Sequence, residues 1–333
     1  MQYVLDGPAP RLDRFLTDLH SEVPRSRWEA WIRAGKVSIN GQSVSKSGTR
    51  LRSGDIIETE LPDLPAPAGN LLPEAIDLPT LFEDERLWIV DKPAGMVVHP
   101  GPGHSSGTVV NALLARLQSR DWSLEAAPEA EEPAEDEEVL ATPWPGLVHR
   151  LDRYTTGCLA LTKDAQAMAS LQAQFKVRSV EKRYLALVRH SRRLPELGSL
   201  LVDQPIARHR VDRLKMTISQ TGRPSQTRFK VLARSRGLAL VECELLTGRT
   251  HQIRVHLSHL GAPILGDNLY GGAPQIQDLD GNTFPCHHPV LHAWKLALDH
   301  PSDGRRIEVQ APLPEMFRTL LERIGLTEAS ING

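Results

Sequence analysis

Leu147-Val-His-Arg-Leu-Asp152-Arg-Tyr-Thr-Thr-Gly157-Cys-Leu-Ala-Leu-Thr-Lys-Asp164 sets two short apolar runs, Leu147-Val148 and Cys158 to Leu161, on either side of a polar centre. That centre holds one carboxylate, Asp152, between Arg150 and Arg153, and Thr155-Thr156-Gly157 is a turn signal. The pattern predicts a strand, a charged loop and a second strand. Taken alone, Asp152 reads as a solvated loop charge, because most loop carboxylates are that. The rest of the chain decides whether it is more.

Outward from this stretch, Ala165 to Arg178 carries Met168, Leu171 and Phe175 in the pattern of a helix laid on a sheet. Lys182 to Val188 reads as a strand. Gln226 to Ala233 and Leu238 to Leu245 alternate like antiparallel strands joined by a turn at Arg236-Gly237. Gly248 to Leu260 reads as a helix ended by Gly261, Leu291 onward as more strand, and Glu315 to Ile324 as a terminal helix. On the other side, Thr108 to Leu117 has helical spacing. Leu87 to Val90 is a strand, broken at Pro93 to Gly95 and followed by another short strand. Strands and helices mix without regular β-α-β alternation, so residues 80–325 are expected to form an α+β domain.

Residues 1–62 read as a small domain of their own. Leu12, Phe15, Leu16 and Leu19 lie at helical spacing, and a second helix with Trp28, Trp31 and Ile32 is capped by Ser26, with Glu29 three residues on, and ended by Gly35. Lys36 to Val44 alternates as a strand folded back at Asn40-Gly41, and Gly54 to Leu61 gives a final strand. Residues 63–79 are proline-rich and poor in large apolar groups, the composition of a semi-extended linker.

The 333 residues are 40% hydrophobic and 24% charged, an ordinary soluble composition with room for a sizeable core. No apolar run is long enough for a membrane span, and Met1 to Asp6 lacks the regions of a signal peptide, so a cytoplasmic protein without membrane contact is expected. Cys158, Cys243 and Cys286 are far apart and read as buried small hydrophobes. The net charge of −2 hides an uneven distribution. Ser123 to Thr142 holds eight acids and no base, and is expected to be a disordered surface loop. Asp203 to Arg236 holds nine bases against two acids, which is either a solvated basic face or the footprint of a polyanion.

Three segments then align with a known pattern: His149-Arg-Leu-Asp152, Lys182-Arg-Tyr184, and Thr247-Gly-Arg-Thr-His-Gln-Ile-Arg254-Val-His256. Together with Asp91-Lys-Pro-Ala-Gly95, Pro205-Ile-Ala-Arg-His209, Asp212-Arg-Leu-Lys-Met216, Gly261-Ala-Pro-Ile-Leu-Gly-Asp-Asn-Leu-Tyr-Gly271 and Leu291-His-Ala293, they closely resemble RluA-type pseudouridine synthases over residues 80–318. The resemblance implies a catalytic domain with a mixed, largely antiparallel sheet, flanking helices and a central cleft. It also implies isomerisation of uridine in RNA, with no redox change, cofactor or metal. Carboxylates are ionised at neutral pH, so Asp152 becomes a catalytic nucleophile or base. Its implied ion-pair partner is Arg254, with Arg249 second, and Tyr184 would stack on the uracil and help move the carbon-5 proton. Arg150 matches the position proposed to fill the space left by the flipped base. Arg208, Arg210, Arg213 and Lys215, with Arg249, are the expected RNA contacts beside the cleft.

Arg11-Leu-Asp13, the second helix, Gly35-Lys-Val-Ser-Ile-Asn-Gly41 and Gly54-Asp55 follow one another as in the small α/β RNA-binding domain of ribosomal protein S-four, which this region resembles. Arg25, Arg27, Arg33 and Lys36, with Lys46 and Arg50, would then meet RNA phosphates. Such an appendage points to large-subunit ribosomal RNA first and transfer RNA second, acted on by a monomer. Arg153-Tyr-Thr-Thr-Gly157 departs from the more usual Lys-Asp-Thr-Ser-Gly by placing Tyr154 where many members have an acid, which bears on substrate choice. The histidines of Cys286-His-His-Pro-Val-Leu-His292 lack a ligand spacing with a second cluster, so no metal is expected. Two other functions compete with this one: a noncatalytic RNA-binding protein, against which intact Asp152, Tyr184 and Arg254 argue, and a glycoside hydrolase, which requires a second carboxylate near Asp152.

Overall fold

In the N-terminal part a short apolar set is enough to fold a four-stranded sheet against two helices. The computed structural model describes residues 2–5, 7, 10–20, 25–60, 72–100, 104, 106–117 and 146–331. The acidic stretch 123–142 lies outside the described residues. Contacts divide the chain into two units, residues 1–71 and 72–333.

The first unit runs β1 (Gln2–Val4), α1 (Leu12–Leu19), α2 (Arg25–Arg33), β2 (Val37–Ile39), β3 (Gln42–Val44) and β4 (Ile56–Thr59). Its antiparallel sheet has the order β1-β4-β2-β3, and Leu12, Leu16, Trp28, Ile32, Val37, Leu51 and Ile57 form its core. Asn40 (φ 52) and Gly41 (φ 75) are both left-handed, which is what a two-residue hairpin needs to match strand twist. Ser26 does not start the second helix, because α2 already begins at Arg25. β1 escaped the sequence reading because three residues are too few to display alternation.

The second unit begins with β5 (Thr80–Glu83), β6 (Leu87–Lys92), α3 (Val109–Leu117), β7 (Thr156–Thr162), α4 (Ala165–Val177), β8 (Glu181–Arg189) and β9 (Gly198–Asp203). A small hairpin follows, β10 (Ile206–Arg208) and β11 (Met216–Ile218), then β12 (Gln226–Ser235), β13 (Leu238–Leu245) and α5 (Gln252–His259). The chain ends with β14 (Gln275–Gln277), β15 (Thr283–Pro285), β16 (Leu291–Asp299), β17 (Arg306–Gln310) and α6 (Glu315–Arg323). A nine-stranded sheet dominates, in the order β5-β6-β7-β16-β8-β13-β12-β9. All its pairings are antiparallel except β7 with β16, and β17 shares the β16 edge with β7. The fold is therefore α+β with a mixed, largely antiparallel sheet.

Strand alternation decides which side chains reach the cleft. In β8, Leu185 and Leu187 join Leu240, Trp294 and the α6 residues Phe317, Leu320 and Leu321 in one core. Tyr184 must then point to the opposite face. A second core joins Leu171 of α4 to Leu87, Ile89, Cys158, Ala160, Leu296 and Leu298. The three cysteines are buried and unpaired.

The opening stretch differs from its sequence reading in two ways. Leu147 makes only an isolated bridge to Leu161 rather than a strand, because two apolar residues are too few to sustain a ladder. The turn falls at Arg153-Tyr154, with Thr155 N–H bonded to Asp152 O at 3.1 Å. Gly157 is already inside β7, where a Cβ would come within 2.2 Å of Ala293 O; here glycine permits close approach of β16. Likewise Met96 to Pro100 forms no strand, and α5 starts at Gln252 rather than Gly248.

Candidate active site

Asp152 sits between His149, whose position β7 fixes, and the turn that enters β7. The Ala160 N–H donates to His149 Nε2 at 2.8 Å, and the imidazole stacks on Phe175 at 4.9 Å between centroids. Burial, and then the nearby Lys182 charge, push His149 down to about 3, so it is a neutral bracket for the loop. On the other side of Asp152, Lys92 is fully buried and its Nζ donates to the carbonyls of Pro93 (2.9 Å), Met96 (2.9 Å) and Arg153 (3.0 Å). Burial pushes this amine down to about 7, opposed by Asp152 and Asp91. Three carbonyl acceptors nevertheless match the three donors of an ammonium and leave no place for an amine lone pair, so the geometry holds the charged form. Arg153 Nε returns a bond to Gly95 O at 3.0 Å. The Asp-Lys-Pro-Ala-Gly turn is thus a clamp on the loop that carries Asp152.

Replacing that ammonium tests the clamp. Lys92→Met keeps the volume but leaves the carbonyls without their donor, and is expected to destabilise the second unit by about 2–4 kcal/mol in urea unfolding. An unchanged unfolding midpoint would show that the clamp contributes nothing.

α5 supplies the partner for Asp152. Arg254 Nη1 donates to Asp152 Oδ2 at 3.1 Å, while its Nε and Nη2 grip both oxygens of Asp267 at 2.7 and 2.8 Å. Asp267 is 1% exposed. Burial alone would lower the Arg254 pKa; the bonds and charge of Asp267, then those of Asp152, outweigh it and raise the value, so the guanidinium stays charged. A planar fork can hold two carboxylates this way where a lysine cannot. Asp152 is about a quarter exposed, and among the described residues its Oδ1 makes no hydrogen bond.

His149, Asp152 and Arg254 line a cleft of about 420 Å³, with Tyr184, Arg150, Phe175, Lys176, Arg178, Lys182 and the 245–254 segment around it. Tyr184 is buried. Desolvation, and then the charge of Asp152, push its hydroxyl far above the ordinary value, so it is a neutral phenol. Among the described residues Asp152 is the only carboxylate in a lining with six Lys or Arg side chains, which makes the cleft attractive to a polyanion. Asp267, the second carboxylate bound to Arg254, has both oxygens held by that guanidinium and is not available for the acid–base pair of a glycoside hydrolase.

The structure brings Asp152, Tyr184, Arg254, Arg150 and Arg249 to one cleft. Arg254 is the arginine bonded to Asp152, and Arg249 Nε reaches Pro224 O at 3.4 Å. Arg208, Arg210, Arg213 and Lys215 occupy the β10–β11 hairpin, where Arg208 bonds the Arg213 carbonyl and Lys215 pairs with Asp212. Val211 and Leu214 are strongly exposed at its tip. In the first unit Arg33, Lys36, Lys46 and Arg50 are exposed, while Arg25 and Arg27 lie on α2 with side chains outside the described residues. Tyr154 stacks on His288 at 3.6 Å and 8°, under Arg153, and so ties the Asp152 loop to the segment entering β16. His292 is buried against Thr156 Oγ1 at 2.8 Å. Sequence reading assigned no role to Lys92, His251, Asp267 or Tyr270, although the motifs containing them were visible.

The chain is similar to known proteins over nearly its whole length. The family described as RNA pseudouridylate synthase matches residues 86–259, and the S4 domain matches residues 10–57. An uncharacterized RNA pseudouridine synthase of Bacillus subtilis (strain 168) is 36% identical over 314 residues, 94% of this chain and 94% of that one. Ribosomal large subunit pseudouridine synthase D of Pseudomonas aeruginosa is 36% identical over 327 residues, covering 93% of this chain and 91% of its own. Among solved structures, human RNA pseudouridylate synthase domain containing 4 is 28% identical with a TM-score of 0.54, covering 74% of this chain and 92% of that one. A chain that carries this cleft behind an S4 domain, and matches such relatives along nearly its whole length, belongs to the RNA pseudouridylate synthase family, as an RluA-type member acting on RNA.

Proposed function

We propose that the cleft converts uridine in large-subunit ribosomal RNA to pseudouridine, with Asp152 as the reacting carboxylate. The observation that carries this reading is the asymmetry at Asp152: Oδ2 is held by Arg254, and among the described residues Oδ1 has no hydrogen-bond partner, in a cleft whose lining includes six Lys or Arg side chains. The reaction breaks the bond from ribose carbon 1′ to uracil nitrogen 1 and joins carbon 1′ to carbon 5. The carbon-5 proton leaves, and nitrogen 1 ends with a proton, so the product is an isomer. Such chemistry calls for an anionic oxygen, a surface on which the uracil can turn, and fixed positive charge beside the carboxylate. Asp152, Tyr184 and Arg254 supply these in turn. The relatives named for the large ribosomal subunit and the S4 domain support ribosomal RNA as the substrate.

Tyr184 as a neutral phenol stacks on the uracil and relays the carbon-5 proton through its hydroxyl. Tyr184→Phe keeps the ring and removes the relay, so the single-turnover rate should fall by roughly 10²-fold with RNA affinity unchanged. A Tyr184→Phe rate within twofold of wild type would confine the residue to stacking. The substrate is tested by tritium release from RNA labelled at uridine carbon 5, using large-subunit ribosomal RNA and transfer RNA from cells lacking the gene. Release from the ribosomal RNA is expected. Release from transfer RNA alone would overturn the substrate assignment, and release from neither would overturn the activity.

A further inference from the structure

The basic hairpin is wired to the catalytic carboxylate through two side chains with no role so far. The Met216 N–H, at the start of β11, donates to the Tyr270 hydroxyl at 2.8 Å. The same hydroxyl lies 2.8 Å from His251 Nδ1, and His251 Nε2 faces Asp152 Oδ2 at 3.8 Å.

The proton positions follow from elementary constraints. A phenol has one proton, and the Tyr270 oxygen already accepts from Met216, so that proton is free to go to Nδ1. Nδ1 is then the acceptor, and the imidazole proton sits on Nε2, aimed at the carboxylate. The opposite tautomer would turn a nitrogen lone pair towards an anionic oxygen. Burial, partly offset by Asp152, lowers His251 below its usual range, so the neutral ring prevails at pH 7.

Two further observations mark the link as built. Tyr270 also lies under Arg254, whose Cζ is 5.0 Å from the ring centroid, so one side chain braces both groups that face Oδ2. His251 holds a left-handed backbone, φ 58 and ψ 19, at the start of α5 without capping the helix through its side chain. A non-glycine residue in that region is disfavoured, and such residues gather where a side chain must be aimed.

We propose that Tyr270 and His251 are positioning residues that couple seating of the β10–β11 hairpin on RNA to the orientation of Asp152, fixing Oδ2 so that Oδ1 meets the target nucleotide. The inference rests on Asp152 being the reacting carboxylate. At 3.8 Å the His251 contact is longer than a hydrogen bond. Among the described residues Arg254 alone bonds Oδ2 in the free protein, and His251 is a second donor that closes when the hairpin carries Tyr270 inward.

The test measures single-turnover rate at saturating RNA, and RNA affinity, for the full chain and its variants. His251→Ala and Tyr270→Phe should each lower the rate by about 10-fold or more, the scale of a slightly misplaced catalytic group, with affinity within about threefold of wild type. The double variant should be no slower than His251→Ala by more than about twofold, since both residues act through one chain. His251→Gln, which keeps a donor near the Nε2 position, should recover part of the rate. Arg213→Ala at the hairpin should slow saturated turnover in the wild-type background and not in Tyr270→Phe. Wild-type rates in both single variants, losses that multiply in the double, or an Arg213→Ala effect equal in the two backgrounds or absent from both, would overturn the inference. If His251→Ala fails to fold, Tyr270→Phe, which keeps volume and ring, decides by the same criteria. Asp152→Asn run alongside separates the two claims: an inactive Asp152→Asn with wild-type His251 and Tyr270 variants sinks only the coupling, and an active one sinks the catalytic reading beneath it.

Discussion

Asp152→Asn lowers pseudouridine formation by roughly 10⁴-fold or more, about 5.4 kcal/mol of transition-state stabilisation, while RNA binds as tightly as before or more tightly. Asparagine keeps the shape of the side chain and an oxygen that can accept from Arg254 Nη1, so the loop between His149 and β7 stays in place. The amide is neither a nucleophile nor a base at neutral pH. The sign of the binding change distinguishes a catalytic role from a structural one: among the described residues Asp152 is the only carboxylate lining the cleft, so neutralising it removes a repulsion towards phosphate. Single-turnover tritium release and filter binding read the two quantities. A substantial residual rate, or an affinity loss comparable with the rate loss, contradicts the assignment.

Arg254→Met has the second largest expected effect, and it acts twice. It removes the hydrogen bond to Asp152, and it strands Asp267, which is 1% exposed and bonded by both oxygens to the same guanidinium. A buried carboxylate that loses its partner costs about 3–5 kcal/mol. For a unit of this size that lowers the melting temperature by roughly 6–20 °C, with activity lost as well. Arg254→Lys should fare little better, because a point charge cannot fork between two carboxylates. Adding Asp267→Leu to Arg254→Met separates the two roles. It removes the stranded charge and should recover most of the melting temperature, but no activity. Recovery of both would mean that Arg254 serves stability alone.

The parts of this site that the sequence revealed are those carried by long regular patterns or by quoted motifs. Alternation through Lys182 to Val188 already sets Tyr184 against Leu185 and Leu187, and the core around α6 shows where those leucines go. Asp152 and Arg254 could be picked out by resemblance, although 102 positions separate them. What escaped was long-range pairing. Asp267 follows a glycine and precedes an asparagine, and in sequence that is a turn; only folding shows both its oxygens spent on Arg254. Lys92 in Asp-Lys-Pro-Ala-Gly looks like a surface lysine, yet it is wholly buried and its three acceptors include the carbonyl of Arg153, 61 residues away. His251 was absorbed into a helix that starts one residue later, so its left-handed backbone and its aim at Asp152 were hidden. The Leu147-Val148 strand failed for a local reason: two apolar residues are too few to sustain a ladder, and beyond the single bridge to Leu161 the His149 imidazole takes the Ala160 N–H on that flank of β7. Short elements and buried charge are the features that local pattern encodes least.

If Asp152 makes pseudouridine in large-subunit ribosomal RNA, as proposed above, its loss must show in the cell's own RNA. The most direct measurement maps pseudouridines, nucleotide by nucleotide, in ribosomal and transfer RNA from three strains: wild type, a deletion, and one whose only copy encodes Asp152→Asn. The deletion and the Asp152→Asn allele should lose the same large-subunit positions and no position in transfer RNA. Persistence of those positions in the Asp152→Asn strain, or loss confined to transfer RNA, would contradict it.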